Sequence, residues 1–310
     1  MKPWQKRIAS IMIAALTACT LPFGVYAEET GEFNGQILLT QYDGTEVALD
    51  RMPESICADS YAVALILHDL GIPVTSVIST SRPLPEDLAA LPGVGTPQSP
   101  DFEVIKNCET DLLFASATFM DRTQDFLAEQ GIASCYVDIT LYSDTRKNIE
   151  MLGTAFGKTA EMEALLSDID AREQAVLDRI GPQDGKTIAI IHGTGKSFLF
   201  STENSYVGQM AEMLGLENIV QGVEASVAFS DEQLVLLDPD IIVRYAHGSN
   251  WEEVNESFES MFSENGAYAN LKAVQNGNVY DLDAELFTAN AGTRSIEAFE
   301  ALADTLFGQD

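Results

Sequence analysis

Few residues in this 310-residue chain have the chemistry to hold a metal or a polar ligand. The histidines are His68, His192 and His247. His247 directly follows the apolar run Asp240-Ile-Ile-Val-Arg-Tyr245, and Gly248 after it gives the backbone freedom to turn. A neutral imidazole placed there can ligate iron. Arg244 and Tyr245 come just before it; the guanidinium can fork onto a ligand carboxylate, or make an ordinary ion pair in an acidic chain. His192 ends the apolar run Thr187–Ile191 and either lines a cleft or is a satisfied structural histidine, while His68 falls within a helical pattern and reads as surface or core. Three dispersed histidines, one of them mid-helix, do not have the spacing of a zinc cage. Gly193-Thr-Gly-Lys196-Ser197 imitates the end of a phosphate loop, but the first glycine of that motif would fall at Ile190. No Ser/His/Asp grouping stands out, so a secreted α/β enzyme, the alternative from another functional class, lacks an evident nucleophile.

The elements that must position these groups alternate. Gln36–Thr40 and Thr45–Leu49 flank Asp43-Gly44 as a hairpin. Strands are then expected at Ser55–Cys57, Val74–Ile78, Asp111–Ala115 and Cys135–Ile139, with helices from Asp59 or Ser60 to Leu70, up to Gln130 and from Ser143 to Phe156. Strand and helix in alternation predict an α/β lobe with a mainly parallel sheet. Thr159–Gly181 is one long amphipathic helix, with Met162, Leu165, Leu166, Ile169, Val176, Leu177 and Ile180 on a single stripe. Beyond it the pattern restarts with strands at Lys186–Ile191, Phe198–Ser201, Asp240–Tyr245 and Asn278–Leu282, and helices at Ser205–Leu214, from Asp231, at Trp251–Phe262 and at Thr293–Leu306. Glu103 precedes Asp111 by eight residues and Glu232 precedes Asp240 by eight, an offset of 129 at both ends. The chain therefore reads as two α/β lobes, 28–157 and 182–310, joined by a connecting helix over 158–181. Ligands in such sheets sit off the carboxyl ends of the strands.

Residues 1–27 read as a secretory leader. Lys2, Lys6 and Arg7 precede the apolar run Ile8–Leu21, followed by Pro22 and Gly24. Two exits fit: cleavage after Val25-Tyr26-Ala27, or a lipoprotein box Leu16-Thr-Ala-Cys19 with Cys19 lipidated. Both put the protein outside the cytoplasmic membrane, and no later apolar run is long enough to span a bilayer. Lysine and arginine total 17 against 48 acids, a net −31, and loss of the three leader bases leaves 14 − 48 = −34. Such charge excludes nucleic acid and an anionic membrane surface as partners. Cys57, Cys108 and Cys135 remain after Ala27, too few and odd in number for a disulfide scaffold. Cys108 and Cys135 stand near the starts of two strands, so a bridge between them is expected, worth about 3 kcal/mol through loop closure.

With these residues placed, the chain resembles the helix-hinged substrate-binding proteins of ABC importers, which take up siderophores, corrinoids and heme. The resemblance rests on VGTPQSPDFEVI (Val94–Ile105), the long helix, STENSYVGQMAEMLGLENIV (Ser201–Val220), DEQLVLLDPDIIVRYAHG (Asp231–Gly248) and AVQNGNVYDLD (Ala273–Asp283). It is nearest to the heme-binding branch found in iron-regulated surface systems. It implies two Rossmann-like lobes with a ligand cleft between them, a binding protein rather than an enzyme, heme as the transported ligand (alternatively a ferric siderophore or corrinoid), an ABC permease as partner, a monomer, and membrane contact only through a lipid anchor. It implies His247 as the iron ligand. Where that branch places a ligating Met, this chain has Gln98, which could hydrogen-bond a water or anion on the sixth position, and Met120 could substitute. It also implies that Glu103 and Glu232 dock into basic pockets of the permease; both also suit a helix N-terminus.

Overall fold

A computed structural model describes residues 36–194, 197–228, 230–246, 251–263 and 265–308. The leader, Ala27 and Cys19 lie outside the described residues. The first lobe opens with the antiparallel pair β1 (Ile37–Thr40) and β2 (Glu46–Leu49). The Asp43 carboxylate closes its turn by accepting from the Thr45 hydroxyl at 2.6 Å and the Thr45 N–H at 3.0 Å. There follow β3 (Ile56–Asp59), α1 (Tyr61–Asp69), β4 (Ser76–Val77), α2 (Glu86–Ala89), β5 (Gly95–Thr96), β6 (Ser99–Pro100), α3 (Phe102–Asn107), β7 (Leu112–Ser116), α4 (Met120–Gln130), β8 (Ala133–Val137) and α5 (Tyr142–Ala155). The central sheet runs β4-β3-β7-β8, all parallel. Strand β8 begins two residues before the expected start, because its ladder pairs Ala133 with Leu112.

Side chains alternate across this sheet. Ile56, Ala58, Leu112, Phe114, Cys135 and Val137 enter one core, whereas Cys57, Leu113, Ala115 and Tyr136 enter another that α3 and α4 cover with Ile105 and Leu127. This parity overturns the expected disulfide. Cys108 ends α3 on one side of the sheet and Cys135 is buried on the other, so both are free thiols despite their strands being neighbours.

The connecting helix α6 (Thr159–Ile180) spans 22 residues, roughly 33 Å at 1.5 Å per residue. Ile169 and Val176 are buried, and Met162, Leu165, Leu166, Leu177 and Ile180 pack half-buried against the same core. Its outer face is tied down by charge: Arg172 forks onto Glu300 at 2.9 and 2.6 Å, and Arg179 meets Asp304 at 2.6 Å.

The second lobe holds β9 (Thr187–Thr194), β10 (Ser197–Ser201), α7 (Tyr206–Met213), β11 (Glu217–Asn218), β12 (Ser226–Ala228), α8 (Asp231–Leu237), β13 (Ile241–Ala246), α9 (Trp251–Phe262), α10 (Lys272–Gln275), β14 (Val279–Asp281), α11 (Ala284–Phe287) and α12 (Ser295–Phe307). Its sheet runs β12-β10-β9-β13-β14 with β11 also on β9. Strands β9, β11, β13 and β14 are parallel; β10 runs against them, and β12, antiparallel to β10, points their way again. The second sheet is therefore mixed.

One hydrophobic core passes from Phe114 on the first sheet, through Ile149 of α5, Val176 of α6 and Phe299 of α12, to Val243 on the second sheet. Gly292, in the turn before α12, has φ +60° and lies so near α1 that a Cβ would come within 2.5 Å of the Ala62 carbonyl.

Candidate ligand cleft

The carboxyl ends of both sheets face a shared opening. The first lobe contributes Ser116 from the end of β7, Thr118 and Phe119 from the 3-10 turn after it, and Ile139 and Thr140 beyond β8. The second contributes His192 of β9, Ser201 of β10, Ser205 and Tyr206 at the start of α7, Tyr245 of β13, and the segment 287–290.

Three of these groups form one polar unit. β9 and β13 pair His192 beside Tyr245, and their rings stack at 5.4 Å and 20°. Ser201 Oγ lies 3.0 Å from His192 Nδ1 and 3.1 Å from the Tyr245 hydroxyl. Burial pushes the Tyr245 phenol up to about 12, so the hydroxyl stays neutral. Burial does the same to Tyr206.

Asn290 ties the lobes at the cleft edge. Its Nδ2 donates to the Leu141 carbonyl at 2.8 Å, and its Oδ1 accepts from the Gly292 N–H at 2.8 Å and the Thr145 hydroxyl at 3.1 Å. Arg82 reaches across to the Asn290 carbonyl at 3.4 Å, with its guanidinium 3.7 Å over the Tyr61 ring. A sequence reading has no handle on Asn290 or Ser201, since small polar residues in loops and at strand ends are common everywhere.

The expected site residues divide. Tyr245 lines the cleft, and so does His192. His247 follows the last residue of β13 and lies outside the described residues, as does Gly248. Arg244 does not face the cleft. It is buried on the opposite side of β13, forks onto Asp281 at 2.8 and 2.5 Å, and sits within 5.3 Å of the Phe258 and Phe262 rings. Adjacent strand residues point to opposite faces, so Tyr245 and Arg244 cannot both look into the cleft. Met120 opens α4 but packs, as Phe102 and Phe126 do, against the outer core of the first lobe, and Thr118 and Phe119 take the cleft position instead. Gln98 is exposed at the tip of the β5–β6 hairpin, outside the cleft lining. That hairpin is bound to the residue just past β4 by Ser79 N–H donating to the Gly95 carbonyl at 2.7 Å, which holds it on the cleft-side end of the first sheet.

Glu103 and Glu232 are exposed in the first turns of α3 and α8. Each helix is capped by a side chain, Asp101 accepting from Glu103 and Val104 N–H, and Ser230 accepting from Gln233 N–H.

Comparison with known proteins matches this architecture. The high-affinity heme uptake system protein IsdE of Staphylococcus aureus is 24% identical over 302 residues, covering 97% of this chain and 96% of that one. Its heme complex superposes with a TM-score of 0.73 at 26% identity, over 82% of this chain and 98% of that one. An ABC transporter substrate-binding protein from Listeria monocytogenes EGD-e gives a TM-score of 0.75 at 28% identity, over 84% and 100% of the two chains. The siderophore-binding protein FeuA of Bacillus subtilis, solved with ferri-bacillibactin, shares the fold with a TM-score of 0.72 at 19% identity, over 89% and 99%. The profile of the periplasmic binding protein family matches residues 56–286, and the chain belongs to that family.

Proposed function

We propose that this chain is the extracytoplasmic binding protein of an ABC importer, that it takes heme into the cleft between its lobes, and that it hands the heme to the permease. The coarser part follows from family: its members are substrate-binding proteins of transport, not enzymes. The observation that carries the ligand class is the lining. Phe119, Ile139, Tyr206, Tyr245 and Phe287 supply apolar and aromatic wall, and the polar groups among them are hydroxyls, the Asn290 amide and the His192 imidazole. A large ring with apolar faces suits such a wall, with a few placed polar groups to orient it. The likeness to a heme uptake protein favours the same choice.

In this reading His247, two residues beyond Tyr245, supplies the imidazole to heme iron. The opposite axial position falls to Gln98 or a water, since Met120 is engaged in packing. Glu103 and Glu232 dock one lobe each on the permease. The lobes are 28–157 and 182–310 on either side of the helix at 158–181. The protein works as a monomer, held at the membrane by lipid on Cys19 or released after Ala27. Titration of the purified protein with hemin tests the ligand. A saturable shift of the heme absorption band at micromolar hemin, at one heme per chain, is expected. No shift, together with binding of a ferric siderophore or a corrinoid, would reject heme in favour of that ligand.

A further inference from the structure

The duplicated architecture exposes a difference between the lobes. Helices α3 and α8 are equivalents, with three and two residues respectively between the helix end and the aspartate that opens a core strand. Counting back from Asp111 and Asp240, Lys106 matches Val235, Asn107 matches Leu236 and Cys108 matches Leu237. Both helices bury one aliphatic residue at the matching place, Ile105 and Leu234. Their outer faces differ. α3 shows Lys106 and Asn107 to solvent, whereas Val235 is 55%, Leu236 83% and Leu237 42% exposed. Three consecutive large aliphatic side chains open to water, on the same helix as the exposed Glu232, are unusual on an acidic, soluble surface.

We infer that the Val235–Leu237 face of α8 is a docking surface for the extracytoplasmic side of the permease, and that it distinguishes the second lobe's contact from the first's. The inference extends the docking role proposed for Glu232. The occupant is argued from charge and size. The chain carries a net −31, and Asp231 and Glu232 border the patch, so the complementary surface is an apolar depression flanked by basic groups. Lipid fits less well, because an acidic protein is repelled by anionic headgroups. A second copy fits less well too, since like charges would oppose and three side chains fall far short of the ~800 Å² each partner buries in a stable dimer. A small apolar spot beside a charged group suits a contact that must form and release in each transport cycle.

The test makes α8 resemble α3. The permease with its ATPase subunits is reconstituted in nanodiscs, and its ATPase rate is followed against the concentration of binding protein. The double variant Val235→Lys/Leu236→Asn should raise the half-maximal concentration at least fivefold, with the hemin titration and thermal midpoint unchanged. Should the double variant lose its melting transition, Leu236→Ser carries the same test. An unchanged half-maximal concentration would overturn the inference. So would a wild-type dimer in sedimentation that the variant dissolves, or patch-dependent binding of wild type to phosphatidylcholine vesicles. Glu232→Ala separates the two claims. A shift with Glu232→Ala alone leaves the Glu232 reading standing and removes the patch; a shift with the double variant alone does the reverse.

Discussion

Glu109 and Asp238 stand 129 residues apart and share a backbone conformation, φ +52° and +41°, the two positive values among the described non-glycine residues. Each closes the helix before a core strand, and two residues on an aspartate locks that strand to its neighbour. Asp111 accepts from the Ser55 N–H at 3.1 Å, next to β3, and Asp240 accepts from the Thr187 N–H at 3.0 Å, at the start of β9. The lobes thus repeat one architecture down to a single left-handed residue. That conformation costs an L-residue roughly 1–2 kcal/mol, and asparagine tolerates it best after glycine. Glu109→Asn should therefore stabilise by about 0.5–1 kcal/mol in urea unfolding. Asp238→Asn should be near neutral, since a short polar side chain is already there and its Oδ1 accepts from the Lys272 N–H at 2.8 Å. Equal effects at both positions would contradict this.

Asp59 ends β3 buried, with Oδ1 unpartnered, and burial pushes its carboxyl up to about 7. The folded state keeps a proton that the unfolded chain releases near pH 4, so stability falls as pH rises from about 4 to 7. At about 1.4 kcal/mol per pH unit, the cost above pH 7 is on the order of 4 kcal/mol at most. Asp59→Asn should remove that cost, gaining a few kcal/mol at pH 8 and almost nothing at pH 4. Urea midpoints at the two pH values check this; a gain independent of pH would refute it.

Gly292 and Gly131 make a contrasting pair. Both have positive φ, +60° and +70°, but a Cβ on Gly131 meets nothing within 4 Å, whereas on Gly292 it would strike the Ala62 backbone at 2.5 Å. Gly131→Ala should cost about 1 kcal/mol from conformation alone. Gly292→Ala should cost about 3 kcal/mol or more by adding overpacking. It should also weaken hemin binding, because Asn290 hydrogen-bonds the Gly292 N–H at the cleft edge. Equal losses for the two variants would show that α1 simply moves aside.

The long helix, the alternation of strands and helices and the Glu103–Asp111 and Glu232–Asp240 match were legible because they depend on period and spacing. What was not legible is which face of a strand looks where. β7 and β13 are buried on both sides, so no alternation of polar and apolar residues marks the cleft face. Of the two readings open for Arg244, a ligand contact or an ordinary ion pair, the structure shows the ion pair, with Asp281 and beneath Phe258 and Phe262, and Cys108 and Cys135 were expected to bridge and lie on opposite sides of one sheet. Met120 depended on the length of the turn after β7, which no sequence signal fixes. Ser201 and Asn290 take their importance from distant partners, His192 and Tyr245 for one, Leu141 and Thr145 for the other.

The proposed docking role separates transport from binding. Glu103 and Glu232 are exposed on helices outside the cleft lining. Glu103→Ala and Glu232→Ala should leave hemin affinity within about twofold and impair uptake by cells. Loss of hemin affinity in step with loss of uptake would remove the docking assignment.

The absorption spectrum and affinity of hemin on His247→Ala, beside wild type and Gln98→Met, test the central claim most directly. An imidazole–iron bond has no substitute in alanine, so His247→Ala should lose most hemin binding and alter the spectrum of what remains. Gln98→Met should instead give a six-coordinate, low-spin complex with a raised reduction potential. A His247→Ala protein that binds hemin with wild-type affinity and an unchanged spectrum would contradict the account.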